Sequence, residues 1–370
     1  MTLSACDADG SSEAARDAES ADAEFSEGDG GAEADADEDA RVESDAATEE
    51  TQNEAGAAGP DASAASTDSG TTRDAAVGDA AAGPAVDRAN PQLYELTLDP
   101  HVLDPSTKDS LSIQYAQLDT RAQPRGQLVV FLPGANNTPR DWRDHGRVLA
   151  GFGFHVLIPH YNNRWSSNGS CDGKGGSCAD DTRWEALTGE NSSAALEIAR
   201  ADSAEGRVIA MIRHLASANT QGDWEYYLSA DGGLSYGMVI IAGISHGAAS
   251  AGLYAARRPF ARNVMHSGGP AGSAAGSKMT PLSAWYGFAH TGDDAFSAIT
   301  NSWKGFMLPG EPTSIDGQAP PFGDSHRLTS SASSSYPHGS TAAHSSSPKD
   351  AAGKYVFEGA WRHLYGAPLR

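Results

Sequence analysis

The stretch Met238-Val239-Ile240-Ile241-Ala242-Gly243-Ile244-Ser245-His246-Gly247-Ala248-Ala249-Ser250-Ala251-Gly252 decides the fold. Its first five residues are apolar and largely β-branched, the pattern of a short strand buried on both faces. Its last five are small residues that suit a helix packed closely against that strand. Between them lies Gly243-Ile244-Ser245-His246-Gly247, a G-x-S-x-G element with a strand before it and a helix after it. That context fits a serine on a tight, strained turn, its hydroxyl raised above the sheet. Glycines two before and two after remove side chains that would clash. The amides and positive dipole end of the following helix aim at developing negative charge. The bland alternative is a close strand–helix crossing that needs glycine for space.

Working outward, a second apolar run, 126–134, ends in Pro133-Gly134, and Thr138-Pro139 opens a helix by N-cap and first-position rules. Strands are also expected at 93–98, 111–118, 154–159, 263–266 and 285–289. Helices are expected at about 202–215, 248–257, 296–307 and 355–364. Alternation of this kind argues an α/β fold with a mostly parallel sheet and helices on both faces. The Ser-rich stretch 329–347 reads as loop. The segment 160–202, with Trp165 and Trp184, reads as a long polar loop and the best candidate for an extra wall or lid.

Charge divides the chain. Of 370 residues, 1–90 hold 24 acidic and four basic side chains, and 91–370 hold 25 acidic and 22 basic. Phe25 is the single aromatic residue of the first 90. A stretch this polar has little apolar surface to offset ordering entropy, so 1–90 is expected to be a disordered acidic tail and 91–370 one domain. The acidic tail and near-neutral remainder exclude a nucleic-acid partner, and no apolar run approaches a membrane span. A monomer is expected, with no cofactor and no metal. Cys171 and Cys178 flank a Gly-rich loop without further ligands nearby, which favours a disulfide contributing roughly 2–3 kcal/mol and an oxidising compartment. The opening Leu3-Ser4-Ala5-Cys6 resembles a bacterial lipobox, although basic and apolar signal regions are missing. With the flexible stretch behind it, Cys6 suggests a lipid-tethered or otherwise extracytoplasmic protein.

The strand–G-x-S-x-G–helix unit and the loop Leu132-Pro133-Gly134-Ala135-Asn136-Asn137 together resemble the α/β-hydrolase superfamily over about residues 92–366. The resemblance implies a serine hydrolase of carboxylic esters working through an acyl-enzyme. Ser245 is then the nucleophile, and the oxyanion donors are the amides of Ala135 and His246, with Asn136 in place of Ala135 as an option. The superfamily order serine–acid–histidine puts the acid after the strand at 285–289. Asp293 is preferred, Asp294 is read as near a helix N-cap, and Asp316 and Asp324 are minor candidates. For the base, His338 in Tyr336-Pro337-His338-Gly339 is preferred over His344, with His326 and His363 less suited. His338 also resembles the His-Gly element of bacterial secreted hydrolases that end in a Trp-containing helix. The side chain of His246 is expected to be a pocket wall. Trp165, Trp184 and Trp285 could line a cleft, though ordinary core or loop-anchor packing is the preferred reading of each. A non-catalytic surface protein on the same fold is the alternative, and an acyltransferase or peptidase is the rival among enzymes.

Overall fold

The computed structural model describes residues 83–109, 112–166, 169–174, 176–270 and 278–369. Cys6 and most of the expected tail lie outside the described residues. The apolar runs form strands β1 (Leu93–Leu98), β2 (Gln114–Asp119), β3 (Leu128–Leu132), β4 (His155–Ile158), β5 (Val239–Ile244), β6 (Arg262–His266), β7 (Trp285–His290), β8 (Thr313–Ser314) and β9 (Arg327–Ser330). Helices are α1 (Pro100–Leu103), α2 (Arg143–Gly151), α3 (Cys178–Thr188), α4 (Ala204–Ala218), α5 (His246–Arg257), α6 (Phe296–Gly305), α7 (Pro337–Ser340) and α8 (Glu358–Tyr365).

One sheet runs in the order β1-β2-β4-β3-β5-β6-β7-β9-β8. β1 and β2 pair antiparallel, as do β2 and β4, and every later pairing is parallel. Every residue of β3 and β5 is buried, as the unbroken apolar runs require of parallel strands covered on both faces. One apolar cluster joins one side of the sheet to α3, α4, α5 and α6, and a second joins the other side to α2 and α8. This strand order, with its antiparallel start and an elbow after the central strand, is that of the α/β-hydrolase fold. By the rule for open α/β sheets, ligands meet the carboxyl ends of the parallel strands, and those ends carry the candidate residues.

Three expectations change. Residues 83–90, placed in the tail, lie against the domain: Val86 packs on the core, Asp87 N donates to Gln221 O (2.9 Å) and Arg88 Nε to Thr120 O (3.0 Å). One apolar side chain is enough when turn backbone supplies hydrogen-bond partners. The segment 160–202 is not all loop, because Cys178–Thr188 forms α3. Its Glu185 is buried and accepts the amides of Ser192, Ser193 and Ile198, which ties the chain behind it into a knot. The stretch 329–347 contains the one-turn α7. Cys171 and Cys178 form a disulfide with a Cα–Cα distance of 5.7 Å, at the entrance to α3.

Candidate active site

Ser245 sits between β5 and α5 with φ 56° and ψ −120°, a backbone conformation that costs energy for any residue with a Cβ. Its amide donates to His266 O of the neighbouring strand (2.9 Å), which helps hold the turn. The flanking glycines leave no room for side chains. A Cβ on Gly243 would lie 2.4 Å from the Gly247 carbonyl, and one on Gly247 would lie 2.1 Å from Leu132 O and 2.7 Å from Pro133 O. A third glycine completes the bend: a Cβ on Gly268, just past β6, would lie 2.9 Å from Ser245 O. Sequence reasoning missed Gly268, although a Gly-Gly pair closing a strand was the available signal.

The loop after β3 passes directly over this turn. A Cβ on Gly134 would touch the Ser245 Cβ at 3.4 Å and Ile244 O at 3.3 Å. Its carbonyls are tied back. Tyr161 Oη donates to Pro133 O (3.2 Å), and Asn163 Nδ2 donates to Gly134 O (2.6 Å) and Asn137 O (2.9 Å). Tyr161 and Asn163 were not foreseen; each is fully buried. Ala135 follows in this loop, with Asn136 next at φ 59°, while His246 opens α5, where the first amides have no intrahelical partner. The two expected oxyanion donors thus belong to the two segments that meet at Ser245.

Asp293 and His338 come together. His338 Nδ1 lies 2.7 Å from Asp293 Oδ2, with the carboxylate buried and the ring partly open to solvent. Asp293 leaves the turn after β7. Its amide donates to His290 O (3.0 Å), and its other carboxylate oxygen accepts the amide of Ala295 (2.9 Å). With one oxygen held by the backbone, the other faces the imidazole at a fixed angle. His338 stands in the first turn of α7, after Pro337, rather than on a loop tip. Among the described residues no hydrogen bond joins the Ser245 hydroxyl to this imidazole. Such contacts often tighten only when substrate is bound.

The alternatives fall elsewhere. Asp294 is exposed, and Ala295, not Asp294, caps α6. Asp316 accepts from the Ser330 and Ser331 hydroxyls, which caps β9. His344 hydrogen-bonds Ser346 and lies beside Trp142. His326 Nδ1 and His363 Nε2 donate to the backbone carbonyls of Trp285 and Ser325, and both rings pack on Tyr286. The His246 ring is buried between Tyr161 and Trp165, and burial, aided by the nearby Arg183 charge, lowers it to about 3. An imidazole so held is a poor proton acceptor. Trp165 packs edge-on against it, with Arg183 of α3 over its own ring. Trp184 and Trp285 pack in the core. Both are buried, with their indole N–H groups bonded to Glu190 and to Thr280 O. Among the described residues no cluster of three or more His, Cys, Asp or Glu could hold a metal, and no helix could cross a membrane.

No family model and no curated protein matches this sequence. Solved structures do show likeness. Esterase B from Lactobacillus rhamnosis, in a tributyrin phosphonate complex, shares 12% identity over 75% of this chain and 82% of its own, with a TM-score of 0.37. Acetyl xylan esterase from Aspergillus awamori shares 12% over 65% and 93%, TM-score 0.36. A phospholipase/carboxylesterase from Dyadobacter fermentans shares 16% over 75% and 97%, TM-score 0.31. Strand order and elbow, independently of these, define the chain as an α/β-hydrolase-fold protein.

Proposed function

We propose that the chain is a serine hydrolase of carboxylic esters, with Ser245 as nucleophile, His338 as general base and Asp293 as its orienting acid. The Asp293–His338 hydrogen bond at the carboxyl end of β7, two strands along from the Ser245 elbow, carries this reading. Asp293 keeps the proton on Nδ1, so Nε2 is the free base. It takes the Ser245 proton as Oγ bonds to the ester carbonyl carbon. The oxyanion accepts from the amides of Ala135 and His246. The imidazolium returns its proton to the leaving alkoxide, releasing alcohol. Water, deprotonated by His338, then frees the acid and regenerates Ser245.

The partner is a small-molecule or polymeric ester outside the cytoplasm. The disulfide supports an oxidising compartment, and Leu3-Ser4-Ala5-Cys6 supports a lipid tether through Cys6. Mass spectrometry of the native protein checks the tether: a lipidated Cys6 as first residue is expected, and an intact Met1 ends it.

The enzymatic reading is tested with a fluorophosphonate probe and p-nitrophenyl esters of graded chain length. Wild type is expected to label and turn over. Ser245→Ala is expected to lose labelling and roughly 10⁴-fold or more of kcat. A folded wild type that neither labels nor turns over any ester supports instead a ligand-binding protein on this fold.

A further inference from the structure

Behind the helix turn that bears His338 lies a buried relay of polar groups that the reaction does not touch. His145 of α2, His266 of β6 and Tyr365 of α8 are fully buried and come from three separate elements. They meet at one phenol oxygen. Tyr365 Oη lies 3.1 Å from His145 Nε2 and 3.0 Å from His266 Nε2. The outer ring nitrogens both reach the chain just past α7. The Ala343 amide donates to His145 Nδ1 (3.0 Å), and His266 Nδ1 lies 2.9 Å from Thr341 O.

These contacts fix every proton. A carbonyl oxygen can only accept, so His266 carries its proton on Nδ1. An amide N–H can only donate, so His145 Nδ1 is bare and its proton sits on Nε2. His145 Nε2–H therefore donates to the phenol oxygen, and the phenol O–H donates to His266 Nε2. The line Ala343 N–H to His145, to Tyr365, to His266, to Thr341 O has one direction and no unfilled site. It holds only while both rings are uncharged. Burial lowers His266 to about 3, and burial together with His266 lowers His145 well below its ordinary value. The Phe131 ring packs against both imidazoles and excludes water. Two further bonds reinforce the same segment: Trp361 Nε1 donates to Thr341 O (2.6 Å), and the Thr341 and Ser267 hydroxyls are 2.8 Å apart.

Thr341 is the residue that closes α7, three positions after His338. Its plane and height over the sheet are set from below by α8 and from β6, the strand beside the Ser245 elbow. We propose that the His145–Tyr365–His266 relay is the positioning device of the catalytic base. It locks Thr341 and Ala343 so that His338 reaches Ser245 while its Nδ1 stays on Asp293. His145, His266 and Tyr365 are positioning residues and touch no substrate. The inference rests on His338 being the general base.

Tyr365→Phe removes one oxygen and keeps the ring. Steady-state kinetics on p-nitrophenyl acetate should show kcat down roughly 10-fold, as displacement of a base by a fraction of an ångström demands, with KM within about twofold of wild type. His266→Leu should show a similar loss. His266→Asn, whose amide can still donate to Thr341 O but no longer takes the phenol proton, should lose clearly less kcat than His266→Leu, a partial rescue that lost packing alone would not give. The low-field proton resonance of the Asp293–His338 bond should shift or broaden in Tyr365→Phe and in His266→Leu. Variants that melt earlier yet keep wild-type kcat, KM and that resonance overturn the proposal. If Tyr365→Phe does not fold, the His266 pair decides alone. If wild type turns over no ester and Ser245 does not label, the triad reading fails by itself. The resonance then still tests the relay, and its indifference to the variants overturns it.

Discussion

At the scale of single residues, two adjacent carboxylates differ in what they touch, and the proposed role of Asp293 follows from that difference. Asp293 has one oxygen on the Ala295 amide and the other on His338, while Asp294 is exposed. Asp293→Asn retains a carbonyl oxygen for Ala295 but puts an amide or the wrong tautomer against the imidazole. It is expected to cost on the order of 10³–10⁴ in kcat with little change in melting temperature. Asp294→Asn should leave both within about twofold, as exposed charges do. Equal losses in the two variants would displace Asp293 from its role. That Asp293 would approach a histidine was legible in its place three residues past His290, where β7 ends. His338 was preferred over His344 on its Pro-His-Gly setting, although both lie in one Ser-rich stretch. What separates them is the reach of β7's turn to α7, a tertiary fact.

Among the elements, the central strands and α5 were legible because buried parallel strands and small-residue helices leave unbroken signatures. α3 was not, because polar residues are buried among its apolar ones. Asp180, Thr182, Glu185 and Thr188 are inside beside Trp184, Ala186 and Leu187, so no clean apolar stripe marks it, and Glu185 gathers three backbone amides. β8 and β9 were weak for a different reason: β8 has two residues and β9 four. The elbow makes the sharpest prediction at this scale. A methyl on Gly247 would sit 2.1 Å and 2.7 Å from the carbonyl oxygens of Leu132 and Pro133, which are backbone at the end of β3. Neither can yield without moving the loop that carries Ala135. Gly247→Ala is therefore expected to destabilise by roughly 2–4 kcal/mol and to lower ester turnover together. Urea unfolding alongside kcat measures both, and a variant as stable and active as wild type would show that the elbow is looser than the packing implies.

For the whole molecule, the reading from charge separated an acidic first 90 residues from a nearly neutral remainder, yet it missed how many histidines the domain buries. His145, His155, His160, His246 and His266 are inside, each with its protonation disfavoured by burial. His155 and His160 are lowered to about 4, His246 and His266 to about 3, and His145 well below its usual value. The contacts agree with uncharged rings. His155, for one, lies 2.7 Å from Gly222 O and 2.8 Å from Tyr227 Oη, which fits one donating and one accepting nitrogen. The sign follows. In the unfolded chain these rings protonate near pH 6.5, whereas in the folded protein they stay neutral until about pH 4 or lower. Between those limits the unfolded state binds more protons, so stability falls as pH falls, each ring adding up to about 1.4 kcal/mol per pH unit. The paired carboxylates Glu95, Asp119, Asp316 and Glu358, held below their usual range by hydrogen bonds that outweigh burial, add to the loss only in more acid solution. Urea midpoints taken stepwise from pH 7.5 to 4.5 should therefore begin to drop near pH 6.5, before the paired carboxylates contribute. His155→Gln, which keeps a donor for Gly222 O, should show a shallower slope over that interval even where its stability at pH 7.5 is lower. A midpoint that stays level down to pH 5 would mean that these rings are hydrated or charged inside the fold, and the uncharged relay behind His338 would lose its basis with them.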